Sequence, residues 1–141
     1  MADQPSSELF TTIFRTSPDP VAIVTLAEGR ILEVNDCFVE FFGYSRQELI
    51  GYTVLELGLW NCLEDRHRLR QLIFAQGRVN NLEVSQTLKS GAVKTMLLSA
   101  EVCAIEGQDC VITILKDISD RKRVEAALQQ SEQRYRLLTE I

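Results

Sequence analysis

The side chains best suited to chemistry in this chain crowd into one stretch, Asn61-Cys62-Leu63-Glu64-Asp65-Arg66-His67. His67 is the single histidine, so any imidazole base, metal ligand or haem ligand would have to be this residue. Helical geometry opposes that use. His67 falls about 200° around a helix from Leu69, on the polar face, whereas Arg66 sits nearer the apolar stripe. Glu64 and Asp65 are neighbours that point apart on a helix, so they form no acid–base pair. The four cysteines, Cys37, Cys62, Cys103 and Cys110, make no CxxC pair and, with one histidine, complete no zinc pattern. Cys37, Cys103 and Cys110 lie among apolar residues and read as small core hydrophobes. Glu101 shares a strand face with Thr95 and Ser99 and reads as solvated. No glycine-rich phosphate loop occurs, and no nucleophile–base–orienter set can be assembled. The expectation is therefore a non-enzymatic chain with no catalytic residue, no metal and no resident cofactor.

Bulk properties narrow the class. The chain has 141 residues, 45% hydrophobic and 25% charged, the size of one globular domain with an appendage. A net charge of −5 lacks the basic footprint of a nucleic-acid module. No apolar run approaches the ~18 residues of a membrane span, and no apolar signal core opens the chain. We expect a soluble, cytoplasmic segment with free thiols.

The elements that must position these residues follow from periodicity. Residues 1–6 are polar and read as a frayed tail. Leu9, Phe10, Ile13 and Phe14 give a short amphipathic helix over Ser7–Arg15, stopped by Pro18 and Pro20. Residues 21–26 and 30–34 form a hairpin turned at Glu28-Gly29. Asn35 caps a short helix ended by Gly43, and Ser45-Arg46-Gln47-Glu48 is a capping box. Residues 52–60 connect along the core. Asn61 is read as the cap of a longer helix that Gly77 ends. Residues 79–88 and 94–105 alternate as strands, the second facing one way with Met96, Leu98, Ala100, Val102 and Ala104. Residues 110–115 are apolar on both faces, as in a central strand covered on both sides. Strand runs split by a helical insert predict an α+β fold with an antiparallel sheet.

Short helices over one sheet face enclose an apolar space, either packed core or a small-ligand pocket. Its expected lining is Leu57, Trp60, Leu69, Leu72 and Ile73 from the helical side, with Met96, Leu98, Ile112 and Ile114 from the sheet. Trp60 reads either as core packing or as a ligand contact.

This order resembles the PAS family of sensory domains over roughly residues 7 to 119. The resemblance rests on Thr16-Ser17-Pro18-Asp19-Pro20, Val34-Asn35-Asp36, Phe42-Gly43-Tyr44-Ser45 and Glu48-Leu49-Ile50-Gly51. It continues through Leu59-Trp60, Glu64-Asp65-Arg66, Lys89-Ser90-Gly91 and Lys116-Asp117-Ile118-Ser119-Asp120-Arg121-Lys122. It implies a five-stranded antiparallel sheet, order 2-1-5-4-3, with short helices on one face and flanking N- and C-terminal helices. It also implies dimerisation through those flanking helices, inside a multidomain bacterial signalling protein such as a sensor histidine kinase or a cyclic-di-GMP enzyme, for example a diguanylate cyclase. Asp117 resembles the family residue that ties the last strand to the helix start. Some relatives ligate haem from the helix carrying His67. Asn61-Cys62 resembles the cysteine motif of flavin-binding relatives, but Leu63-Glu64-Asp65 does not continue it.

The exit stretch hands a compact body over to a charged helix. Ser119 is read as its cap and Asp120 suits its positive end, whereas Arg121, Lys122 and Arg123 are cations where the helix dipole disfavours them. They form either a solvated turn or ion pairs with the domain body or a partner subunit. Val124, Leu128, Ser131, Tyr135 and Leu138 follow at 4-3-4-3 spacing, a heptad seam with one polar member. The rival reading is a surface helix folded back on its own sheet. Residues 131–138 echo residues 6–13, so a further module is expected beyond them.

These readings divide the chain into a tail and cap helix (1–15), a PAS domain (16–118) and a signalling helix (119–141). The expected function is a sensory or relay module, with Asp117, Ser119 and Arg121 as relay residues. Val124, Leu128, Tyr135 and Leu138 form the homodimer seam. Expected partners are an adjacent PAS or output domain and a small apolar ligand, with no nucleic acid and no membrane. The alternatives are a ligand-free spacer in a tandem array and a haem or flavin sensor.

Overall fold

Turn chemistry sets the sheet. Strand β1 (Val21–Thr25) and strand β2 (Ile31–Val34) pair antiparallel across a reversal at Gly29. Gly29 has φ +71°, and a Cβ there would stand 3.1 Å from Val54 Cγ2, so only glycine fits without strain. Strands β3 (Arg78–Thr87), β4 (Val93–Ile105) and β5 (Gln108–Asp117) form a meander. The β4–β5 turn is Glu106-Gly107, both at positive φ (49° and 78°), the twist a two-residue hairpin requires. Strand β5 also pairs with β1, which gives one antiparallel sheet in the order β2-β1-β5-β4-β3.

The structure is a computed structural model that describes residues 3–139. Helix α1 (Asp3–Thr16) begins earlier than the expected Ser7. Pro5 is no obstacle, because first-turn amides have no helical acceptor. The expected frayed tail is thus helical from Asp3, and residues 1 and 2 lie outside the described residues. Helix α2 (Asp36–Phe42) is capped by Asn35, and α3 (Arg46–Leu49) by the Ser45–Glu48 capping box, both as expected. Helix α4 (Leu63–Gln76) ends at Gly77. Its N-cap is Cys62 and not Asn61, because the helix begins one residue later than expected; Asn61 Nδ2 donates instead to the Ser85 hydroxyl of β3 at 3.1 Å. Helix α5 (Ser119–Thr139) leaves the sheet, and the last residues of the expected helix, 140 and 141, lie outside the described residues.

The main core lies between the sheet and helices α2–α4. Ile31, Phe42, Leu49 and Met96 are fully buried there, with Leu98 and Val34 close behind. The Phe38 and Phe42 rings stack at 4.3 Å. A smaller cluster of Phe14, Val21, Ile23 and Cys110 covers the opposite face under α1. Of the cysteines read as core, only Cys110 is buried; Cys37 and Cys103 are half-buried, and burial raises both of their thiol pKa values.

Asn35 joins these layers. Its Oδ1 accepts the Val21 amide at 2.9 Å and the Phe38 amide at 3.0 Å, while its Nδ2 donates to the Asp19 carbonyl at 2.9 Å. One buried amide therefore fixes the start of β1 against the start of α2.

Candidate functional site

A cavity of about 90 Å³ opens between the sheet and α4. Helix α4 turns Arg66, Leu69, Arg70 and Ile73 toward it. The connector before α4 contributes Val54, Leu59 and Trp60, and α2 contributes Phe38. Strand β1 adds Ala22 and Val24, β3 adds Gln86, and β4 adds Leu98. Strand β5 supplies Val111, Thr113 and Leu115.

Four of the nine expected lining residues reach this space: Trp60, Leu69, Ile73 and Leu98. Leu57, Leu72 and Met96 pack in the same core without lining it, because neighbouring side chains fill the space between. Ile112 and Ile114 belong to the other face. Ile112 packs on the cluster under α1, and Ile114 is exposed. Strand side chains alternate, so a parity error of one moves the whole set across the sheet. The register settles it: Leu98, already on the core face, pairs with Leu115, not Ile114.

Five polar lining residues were not among those expected: Thr25, Arg66, Arg70, Gln86 and Thr113. Arg66 and Arg70 line the cavity, and so does Gln86, which is buried. Gln86 stood on the core side of an alternating strand, a legible but unused signal. Asp65, expected to point away from Glu64 and to form no acid–base pair, is buried. Its carboxylate accepts the Ser85 amide at 2.8 Å and pairs with Arg68 at 2.6 Å. Asp65 therefore pins the first turn of α4 to β3, where the helix dipole also favours an anion. Burial and the neighbouring Arg70 charge lower the Arg66 pKa.

His67 is exposed, beside Gln71, and does not line the cavity. Cys62 does not line it either. Neither side chain faces this cavity. Among the described residues no cluster of three or more His, Cys, Asp or Glu side chains could hold a metal ion.

The sheet exit is built from backbone. The Thr95 carbonyl of β4 accepts the Ile118 amide at 3.0 Å, and Ile118 is buried. The Thr95 amide donates to Ser119 Oγ at 2.9 Å. Ser119 thus holds the strand rather than capping the helix, and Asp117 Oδ1 takes the Ser119 amide at 2.9 Å. Among the described residues the expected relay cation Arg121 pairs only along its own helix, with Glu125 at 3.5 Å, because one helical turn brings that carboxylate alongside. Arg123 pairs with Asp120 of the same helix. Lys122 is the cation that reaches the body, meeting Glu83 of β3 at 2.9 Å. Val124, Leu128, Tyr135 and Leu138 are exposed on α5, as are Leu9, Phe10 and Ile13 on α1. No helix among the described residues is long and apolar enough to cross a membrane.

A family model described as a PAS domain matches residues 8–76. The chain is 25% identical over 139 residues to a methyl sulfide methyltransferase-associated sensor of Methanosarcina acetivorans, covering 96% of this chain and 14% of that protein. It is 28% identical over 134 residues to sporulation kinase E of Bacillus subtilis, covering 93% of this chain and 17% of that one. The chain thus spans about a sixth of the length of these relatives. The crystal structure of the PAS domain of an HTR-like protein from Haloarcula marismortui superposes with a TM-score of 0.66 at 22% identity, covering 82% of this chain and 93% of that one. With its sheet order, its helical layer over one face and this match, the chain belongs to the PAS domain family.

Proposed function

We propose that this chain is a sensory or relay module of a larger, cytoplasmic bacterial signalling protein. Its body, residues 16–118, responds at the cavity. Its exit helix, residues 119–141, carries the response to an output domain elsewhere in the protein, such as a histidine kinase or a cyclic-di-GMP enzyme. This segment itself catalyses nothing in that scheme.

The double hold of Thr95 on Ile118 and Ser119 carries the reading. Strand β4 lines the cavity through Leu98, three residues along from Thr95. A shift of β4 therefore moves the origin of α5, and the Lys122–Glu83 pair adds a second lever on β3. Such a switch works only if the ligand binds the two sheet positions with different affinity.

In this reading a second copy covers the exposed apolar strips of α1 and α5. Light scattering of residues 1–141 and 1–118 tests the pairing. A dimer that loses α5 and remains equally dimeric shows that the seam is not the main contact. A ligand-free spacer is the second reading, favoured by the small volume of the cavity. Native mass spectrometry separates the two, since a spacer carries no copurified small molecule. The positions of His67 and Cys62 disfavour a haem or flavin sensor, and an absorbance spectrum checks this directly.

A further inference from the structure

The cavity carries polar groups that a packed core would not retain. We propose that it takes a small monocarboxylate with a short apolar body, the carboxylate held by Arg66 with Arg70 and Gln86 beside it. This deepens, and rests on, the sensory reading of the same cavity.

Gln86 is 5% exposed, yet among the described residues its amide has no hydrogen-bond partner. No sealed side-chain nitrogen or oxygen lacks a partner among the described residues, so the Gln86 amide opens on to the cavity it lines. An incoming polar group can pair with it there.

Arg66 gives the sign of that group. It is half-buried, lines the cavity, and among the described residues pairs with no carboxylate. Arg70 stands one helical turn on. Its Nη1 donates to the Leu26 carbonyl at 3.2 Å and its guanidinium lies 5.2 Å from the Phe74 ring centroid, again with no acidic partner. Two like charges at i and i+4 repel, and neither is neutralised by the protein. Arginine keeps its proton under all ordinary conditions, so the site stays cationic. A guanidinium fork matches a carboxylate in bidentate geometry.

The walls set the rest of the ligand. Val24, Ile73, Leu98 and Leu115 are apolar, so the remainder of the molecule must be apolar too. At about 90 Å³ the space is smaller than the roughly 150 Å³ cavity that takes benzene. A chain of a few carbons is the limit.

The test is an NMR titration of the whole 141-residue chain with propanoate and butanoate, against propan-1-ol and butan-1-ol as neutral counterparts. Arg66→Gln and Gln86→Leu are titrated alongside, after circular dichroism shows that each is folded. The acids are expected to shift the Leu98, Val111 and Leu115 amides with about tenfold higher affinity than the alcohols. Arg66→Gln should remove that advantage and leave alcohol binding unchanged, and Gln86→Leu should weaken the acids alone. Alcohols that bind as tightly as acids, or an advantage that survives Arg66→Gln, overturn the carboxylate inference while leaving the cavity a ligand site. If neither class shifts those amides, the sensory reading of the cavity falls with it.

Discussion

Thr95 and Ser119 hold each other in both directions. The Thr95 amide donates to Ser119 Oγ at 2.9 Å, and the Ser119 hydroxyl points back to the Thr95 carbonyl at 3.4 Å. With the Ile118 amide on that same carbonyl, the origin of α5 is stitched to strand β4. Ser119→Ala removes the side-chain half of this stitch. Each neutral hydrogen bond contributes about 1 kcal/mol, so a loss of about 1–2 kcal/mol is expected in urea unfolding. Hydrogen exchange should quicken most at the start of α5 and at Thr95. Unchanged exchange at Thr95 would mean that the stitch is not made in solution.

The Lys122–Glu83 pair should behave differently. Both side chains are near half exposed, so solvent screens the attraction and a coupling under about 0.5 kcal/mol is expected. A double-mutant cycle of Lys122→Met and Glu83→Gln measures it, and the coupling should fade as salt is raised. A large, salt-insensitive coupling would mean that the pair is buried against something, such as a second copy.

Asn35 was legible as a helix cap from its place before Asp36 and an apolar run. Its second task, closing β1 through the Val21 amide, joins residues 14 apart and has no local signature. Asn35→Ala removes three hydrogen bonds at a buried site and leaves the Val21 and Phe38 amides without that acceptor. A loss of about 2–4 kcal/mol is expected by denaturant unfolding. A loss below about 1 kcal/mol would mean that water replaces the side chain there.

Much of the fold could be read from periodicity and turn residues. The hairpins, both short-helix caps and the β4 facing pattern needed only neighbours in sequence. The site was less legible, for two physical reasons. Residues 110–115 are apolar on both faces, so alternation gave no parity until the pairing of Leu98 with Leu115 fixed it. Asp65 is buried where its carboxylate accepts the Ser85 amide, 20 residues away in sequence, a contact with no local signature. Arginine stems, too, can lie along an apolar wall while the head stays polar. In this way Arg66, which helical spacing already sets near the apolar stripe, and Arg70 both line the cavity.

Glu48 gives a pH-dependent signature. Lys89 at 2.8 Å, and then the Ser45 amide, hold its carboxyl below the usual carboxylate range. A depressed folded pKa contributes stability that is present above the unfolded pKa of about 4.3 and is lost as pH falls through the folded value. Glu48→Gln keeps an acceptor for Ser45 and loses the charge. The wild-type chain should therefore melt slightly higher than Glu48→Gln at pH 7, and the difference should vanish under acid. A difference that grew under acid would reverse the sign argued here.

The parity of β5 has a direct mutational consequence. Leu115 is 3% exposed on the cavity face, and Ile114 is 43% exposed on the other. The two are adjacent, both are central to the sheet, and both are large aliphatics, so propensity and strand position nearly cancel in the comparison. What remains is burial. Leu115→Ala deletes packed methyl groups and enlarges an existing cavity, which costs about 2–5 kcal/mol in comparable cores. Ile114→Ala removes a side chain that water already reaches, and about 1 kcal/mol or less is expected. Thermal and urea unfolding of both variants measures the contrast. A second copy docked on the α1 face would add its own term, because Ile114 pairs with Val21 on the face that α1 partly covers. In that case the cost of Ile114→Ala should rise with protein concentration while the cost of Leu115→Ala stays fixed. Equal costs at every concentration would place both residues in one core, which the antiparallel register forbids.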